Sequence, residues 1–263
     1  MSEIRGQIKS IKSLADYYKK EDVIVGYFKQ RFDIPLNRVL HRNQVEFINK
    51  KIKENRISEV LEIAPGPARL TTEIKGVNKG YMLDINEGML IHARDRLKKR
   101  GLIKKWKMIM ADAFDTKLKE NFVSMIYTFR FIRHFKYEDR KKLYSEIRRL
   151  LRDGGYLIFD VPNYGIEKIM RKGKTEKDYL IYDKLWKKDE FIKEMENNGF
   201  EVICMKGNLK IYFIQAAISR LDRIGLGKVA EKIIYLLDRI LDKIKFEFVI
   251  DRPKEWLVLC QKK

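Results

Sequence analysis

"VLEIAPGPARLTTEI", residues Val60–Ile74, decides how this 263-residue chain is read. Val60-Leu61-Glu62-Ile63 is a short apolar run of the kind that forms a buried strand. It enters a tight turn with one glycine, Gly66, between Pro65 and Pro67, and a helical pattern follows from about Arg69. Strand, glycine turn and helix in succession make a cradle for a nucleotide-like cofactor, because free backbone N–H groups gather at the helix start. Ala64 and Ala68 stand where such loops carry glycine, so only Gly66 is expected to take a positive φ freely.

The segments beyond this loop alternate. Strand-like runs occur at 80–83, 106–110, 123–128, 156–161, 201–205 and 256–260, with helical patterns such as Glu87–Arg100 and Asp139–Leu151 between most of them. That rhythm predicts a mostly parallel sheet covered on both faces. Two strands end in an acid at the same edge as the glycine turn. Asp84 closes Gly80-Tyr81-Met82-Leu83 eighteen residues after Gly66, and Asp112 follows Met110-Ala111. A carboxylate at the second strand tip suits two ribose hydroxyls, and an acceptor at the third suits an exocyclic amine of adenine.

Residues 1–58 read as helices, interrupted at Asp33-Ile34-Pro35, because proline disfavours helix in the residue before it. Residues 208–254 break the alternation. Within them Val229, Ile233, Leu236, Leu237, Ile240, Leu241 and Ile244 recur at three-four spacing, with Lys228, Lys232, Arg239 and Lys243 on the other face. This predicts an amphipathic helix with basic edges. It is suited to capping the domain or meeting a second subunit in a homodimer, and a contact with an anionic membrane surface also stays open.

Lys and Arg number 57 against 37 Asp and Glu, a net charge of +20. Such an excess fits an anionic partner or simply solvated charged faces. Its spread favours the second reading, since residues 1–58 carry 13 basic and 7 acidic side chains and residues 208–263 carry 12 and 7. No apolar run approaches the roughly 20 residues of a membrane span. The start, MSEIRGQIKSIK, has no signal-peptide core. Cys204 and Cys260 lie in apolar runs, the pattern of buried thiols in a reducing cytosol. A cytoplasmic protein, with peripheral attachment to a membrane left open, is the expectation.

Five motifs in order at the right spacing make the chain resemble the class I S-adenosylmethionine-dependent methyltransferases, of the type 11 kind. Glu62-Ile63-Ala64-Pro65-Gly66-Pro67-Ala68 is similar to the family's acidic glycine loop, and Leu83-Asp84-Ile85-Asn86-Glu87-Gly88-Met89 to its second motif. Ala111-Asp112-Ala113 resembles the third, "FVSMIYTFRFIRH" (122–134) the fourth strand and its loop, and "LLRDGGYLIFDVPN" (150–163) the Gly-Gly turn and fifth strand. Arg69 occupies the position of the third glycine in G-x-G-x-x-G, which disfavours a nicotinamide enzyme.

The resemblance implies an α/β, Rossmann-like, doubly wound sheet of seven strands with an antiparallel last strand. A helical N-terminal cap (1–58), a core (59–207), a helical insertion (208–254) and the final strand (255–263) follow from it. It implies S-adenosylmethionine as cofactor and S-adenosylhomocysteine as product. Glu62, Ala64, Pro65, Gly66, Asp84, Ile85, Met89, Asp112, Ala113, Thr128 and Phe129 become candidate cofactor residues, with Tyr27 folding over from the front segment. No metal ligand set is assigned.

The acceptor is then expected above the loop Thr128–His134. His134 is a candidate general base. Arg130 and Arg133 are candidates to hold an anionic acceptor, and Tyr164 to line the pocket. Neither the Asn/Asp-Pro-Pro-Tyr signature of amino-methylating nucleic-acid enzymes nor a Pro-Cys nucleophile is present. A small-molecule or lipid-like acceptor is therefore favoured over nucleic acid. An RNA methyltransferase and a catalytically silent S-adenosylmethionine-binding protein are the alternatives.

Overall fold

A computed structural model describes residues 16–17, 33–175, 178–243 and 252–263. Tyr27, most of the front segment and Ile244 lie outside the described residues. Helix α1 (Pro35–Glu54) begins at its proline, with Ile34 extended at φ −92° and ψ 148°. Proline is pre-set for the first helical turn, where its missing N–H leaves nothing unsatisfied. The remaining elements are β1 (Glu59–Ile63), β2 (Lys79–Asp84), α2 (Glu87–Lys99), β3 (Trp106–Met110), β4 (Val123–Thr128), α3 (Tyr137–Leu150), β5 (Leu151–Pro162), α4 (Tyr164–Met170), α5 (Lys188–Asn197), β6 (Phe200–Asn208), α6 (Tyr212–Ser219), α7 (Gly227–Lys243) and β7 (Glu255–Lys262).

The seven strands form one sheet in the order β3-β2-β1-β4-β5-β7-β6. Strands β1 to β5 run parallel, and β7 lies antiparallel between β5 and β6. This is the doubly wound architecture expected from the sequence. Chain order reverses at β1, which has β2 on one side and β4 on the other. Crevices for ligands open at such a switch point, outside the carboxyl ends of the strands.

The central strands are apolar on both faces because both are covered. Val60, Met82, Met125, Tyr127 and Ile158 pack with Phe47, Ile48 and Ile52 of α1 and Ala93 and Leu97 of α2. On the opposite face Leu61, Ile63, Ile126 and Phe159 meet Leu143, Tyr144 and Ile147 of α3 and Phe191 and Met195 of α5. Burying each large side chain contributes roughly 1.5–3 kcal/mol. The front of α1 turns away from the sheet. Its Leu36, Val39 and Leu40 meet Leu209 and Ile234, joining α1 to α6 and α7.

Two local expectations differ from the structure. No α-helix follows the glycine turn; a run of turns ends in a 3-10 turn at Thr71–Glu73. Thr71 hydrogen-bonds Glu62 instead of facing solvent, and Gly76 at φ +80° redirects the chain toward β2. The Gly154-Gly155 turn is absorbed into β5, whose pairing with β4 shifts register between Val123 and Met125. Both cysteines are free thiols, Cys260 buried and Cys204 partly so, as the composition suggested.

Candidate active site

The loop after β1 holds three left-handed residues in five. Ala64 has φ 53°, Gly66 55° and Ala68 57°. Gly66 takes it freely, and both alanines adopt it at a cost. Neighbouring bonds over-determine the turn: Ala64 N donates to Leu83 O at 2.8 Å, and Pro65 and Pro67 limit their own φ. A left-handed alanine costs roughly 1–2 kcal/mol. Ala64→Gly is accordingly expected to stabilise the protein by about 0.5–1 kcal/mol after the extra unfolded-state freedom of glycine is subtracted. Ala68 is fully buried. Ala68→Gly should gain less, because a buried methyl worth about 0.8 kcal/mol is lost. Thermal melting of the two variants checks the order.

Asp84 closes the crevice beside this loop. Its Oδ2 accepts from Gly66 N at 3.3 Å and its Oδ1 from Asn86 N at 2.9 Å. Burial raises its pKa to about 6 in spite of those donors. Asn86 caps α2 through Met89 N, 3.1 Å away, which fixes the chain leaving Asp84. Asp112 lies two residues past the end of β3, and its Oδ1 accepts from Phe114 N at 2.9 Å. Between these acids two apolar side chains are exposed, Ile85 at 44% and Met110 at 65%.

Glu62 behaves differently from a crevice carboxylate. It is 3% exposed and accepts from Thr71 Oγ1 and from the Tyr127 hydroxyl at 2.9 Å. Burial lifts its pKa to about 7 against those two bonds. Its side chain thereby ties β1 to the turn at Thr71 and to β4 at Tyr127. Ala113 and Phe129 are likewise buried in the packing.

The edge between β4 and β5 holds the second group of residues. Thr128 ends β4, and its Oγ1 is buried with no protein partner. Arg130 is left-handed at φ 58°, and its backbone N–H donates to Asp160 Oδ1 at 2.6 Å. Arg133 is almost buried between Asp160 at 3.3 Å and Asp183 at 3.1 Å. Its charge is balanced inside the fold by two acids 27 and 50 residues away, which the sequence did not show. Tyr164 opens α4, its backbone N donating to Trp186 O at 2.9 Å.

His134 ends the 3-10 turn Ile132–His134 that follows this loop. Its Nδ1 lies 2.9 Å from Tyr182 O and 3.1 Å from Asp183 Oδ1. Burial would raise Asp183, but Arg133, His134 and Arg171 outweigh it and hold the carboxyl well below the usual range. Carbonyl and carboxylate both only accept, so the neutral ring carries its proton on Nδ1. Nε2 then carries the lone pair. It is buried and has no protein partner.

Residues 61–159 match the family model described as "Methyltransferase domain". The matched stretch, running from β1 into β5, is a methyltransferase domain. Comparison with curated protein sequences gives no match. Among solved structures, magnesium protoporphyrin IX methyltransferase from Synechocystis PCC 6803, with bound S-adenosylhomocysteine, is 10% identical at a TM-score of 0.64, over 97% of this chain and 100% of that one. A S-adenosylmethionine-dependent methyltransferase from Clostridium acetobutylicum ATCC 824 is 13% identical at 0.59, over 95% and 98%. The mitomycin 7-O-methyltransferase MmcR is 12% identical at 0.55, over 86% and 54%. At such identities the likeness is one of fold.

The candidate site also brings together residues the sequence did not single out. Asp160 is a strand-end acid like Asp84 and Asp112, a signal that was available. Tyr127 and Thr71 are found only once Glu62 is seen to need donors. Asp183 lies in no motif and follows β5 by some twenty residues, so no local pattern marks it.

Proposed function

We propose that this methyltransferase acts on a small-molecule or lipid-like acceptor, with the cofactor across the ends of β1 to β3 and the acceptor over the loop after β4. The single observation that carries the cofactor placement is Asp84, partly buried yet ionisable near neutrality, at the switch point beside a left-handed loop. The residues fit the group. Asp84 supplies acceptors for ribose hydroxyls, Asp112 one for the adenine amine, and Ile85 and Met110 apolar walls for the ring. The orphaned Thr128 hydroxyl would be a further polar contact.

When bound, S-adenosylmethionine would supply a sulfonium-activated methyl group, to be transferred in line to an acceptor nucleophile with the neutral thioether of S-adenosylhomocysteine as leaving group. The chain's part is to hold both partners and to manage one proton. Asp183 and the Tyr182 carbonyl fix the tautomer of His134, and Nε2 takes the proton from the attacking group. The porphyrin and mitomycin enzymes, which share the fold, are named for small-molecule acceptors, and that supports the acceptor class.

Calorimetry with S-adenosylhomocysteine tests the placement. Wild-type affinity should be of micromolar order, about 8 kcal/mol, and Asp84→Ala should weaken it by about 1.5–3 kcal/mol. The pH dependence has a definite sign. Ribose hydroxyls donate to the ionised carboxylate, so binding opposes protonation. Affinity should be level above pH 7 and fall as pH drops through about 6. Unchanged affinity in the variant would remove the ribose assignment. For the acceptor, labelled methyl groups should enter the small-molecule or solvent-extractable fraction of a cell extract; label in RNA alone would reverse the choice.

A further inference from the structure

Helix α7 is built the wrong way round for a helix that only caps a domain. Its inner face presents Ala230, Ile234 and Asp238, all buried. Asp238 accepts from Asn43 Nδ2 at 2.7 Å, Lys210 N at 3.0 Å and Gln215 Nε2 at 3.3 Å. The outer face carries the large apolar side chains: Val229 is 49% exposed, Ile233 40%, Leu236 59% and Ile240 46%. At about 100° per residue these four fall within an arc of about 60°. Four members of the stripe read from the sequence thus face outward, and the buried Ile234 lies outside that stripe.

Charge on the same helix is sorted. Its acids point inward or are paired: Glu231 with Arg38 at 2.6 Å, Asp238 as above, Asp242 with Lys206 at 2.8 Å and Lys210 at 2.7 Å. Arg239 is engaged by Glu46. Lys228, Lys232 and Lys243 stay exposed along one flank of the apolar arc. The connection from α6 adds Ile224, 70% exposed, with Arg220 and Arg223 beside it. An apolar stripe edged by unpaired-side lysines is complementary to a surface that is apolar below and anionic above. Residues 1–32 of the chain itself carry 7 basic and 4 acidic side chains, so as an occupant they would bring like charge to the lysine flank.

We propose that the outer face of α7, with the α6–α7 connection, docks the methyltransferase on an anionic lipid surface. The apolar side chains enter the interface between headgroups and acyl chains while the lysines meet the headgroups. No helix among the described residues is long and apolar enough to cross a membrane, so the attachment is one of lying on the surface.

Cosedimentation of the full chain with vesicles of phosphatidylcholine, with and without phosphatidylglycerol, tests this. Pelleting is expected with the anionic vesicles only, and it should fade with added salt. Lys228→Gln/Lys232→Gln/Lys243→Gln should weaken it roughly a hundredfold, at about fivefold per cation. Leu236→Asp/Ile240→Asp should abolish it. Unchanged S-adenosylhomocysteine affinity in both variants shows that the fold is kept, and keeps this test separate from that of the cofactor site. Absent pelleting, equal pelleting on neutral vesicles, or wild-type pelleting by both variants overturns the proposal. A dimer in gel filtration that Leu236→Asp/Ile240→Asp dissociates, without vesicle binding, overturns it in favour of a second copy.

Discussion

Glu194→Ala is expected to lower the unfolding free energy by about 3–5 kcal/mol, the cost of stranding a buried charge. Glu194 on α5 is buried and accepts four hydrogen bonds: Arg140 Nε at 2.7 Å, Arg140 Nη2 at 2.7 Å, Tyr144 OH at 3.0 Å and Trp186 Nε1 at 3.0 Å. Arg140 is 2% exposed, and its Nη1 also donates to Phe135 O at 2.8 Å. Removing the carboxylate therefore leaves one cation and two neutral donors without their acceptor inside the core. Glu194→Gln should cost less, because one amide oxygen still accepts. Arg140→Leu/Glu194→Leu should recover much of the loss, since well-packed apolar pairs replace buried ion pairs at little cost. Urea unfolding of the three variants decides it. A single-variant loss below about 1 kcal/mol would mean that water reaches the cluster.

His134→Ala is expected to lower kcat by about a hundredfold or more, the usual scale for a positioned general base. S-adenosylhomocysteine affinity should stay unchanged, because His134 lies at the β4–β5 edge and not beside Asp84. Added imidazole should restore part of the rate, since it supplies the missing lone pair in the space the ring vacated. Asp183→Asn should lower kcat less and leave the acceptor KM near its wild-type value, as befits a residue acting through the histidine. If His134→Ala raises the acceptor KM and leaves kcat intact, the ring is a wall of the pocket and the base assignment fails.

The large features of the fold were legible from sequence because their causes are local. Apolar runs marked the strands, Pro35 marked the start of α1, and the late run 256–260 marked a strand displaced from the alternation. The three-four spacing also located α7. It did not show which side of α7 faces solvent, because that depends on partners such as Asn43 and Lys210 from other parts of the chain. The same limit hid the environment of Arg133, whose acids are far off in sequence. At the glycine loop a different limit applied. Residue preference argued against left-handed alanines at 64 and 68, and tertiary bonds overrode it.

The position of β7 bears on the order in which the chain is made. In the sheet β6 touches only β7, and β7 also closes the open side of β5. When β6 leaves the ribosome, its partner is still about fifty residues away, several seconds at ordinary synthesis rates. Throughout that interval two strand edges wait with unpaired backbone groups. A nascent chain halted before Glu255 therefore loses two strands from its sheet, not one. It also lacks the carboxylate that Gln44 and Asn208 bond at 2.9 and 3.1 Å, so α1 and the end of β6 keep only their direct bonds through Asn208 to Asn43 and Leu40.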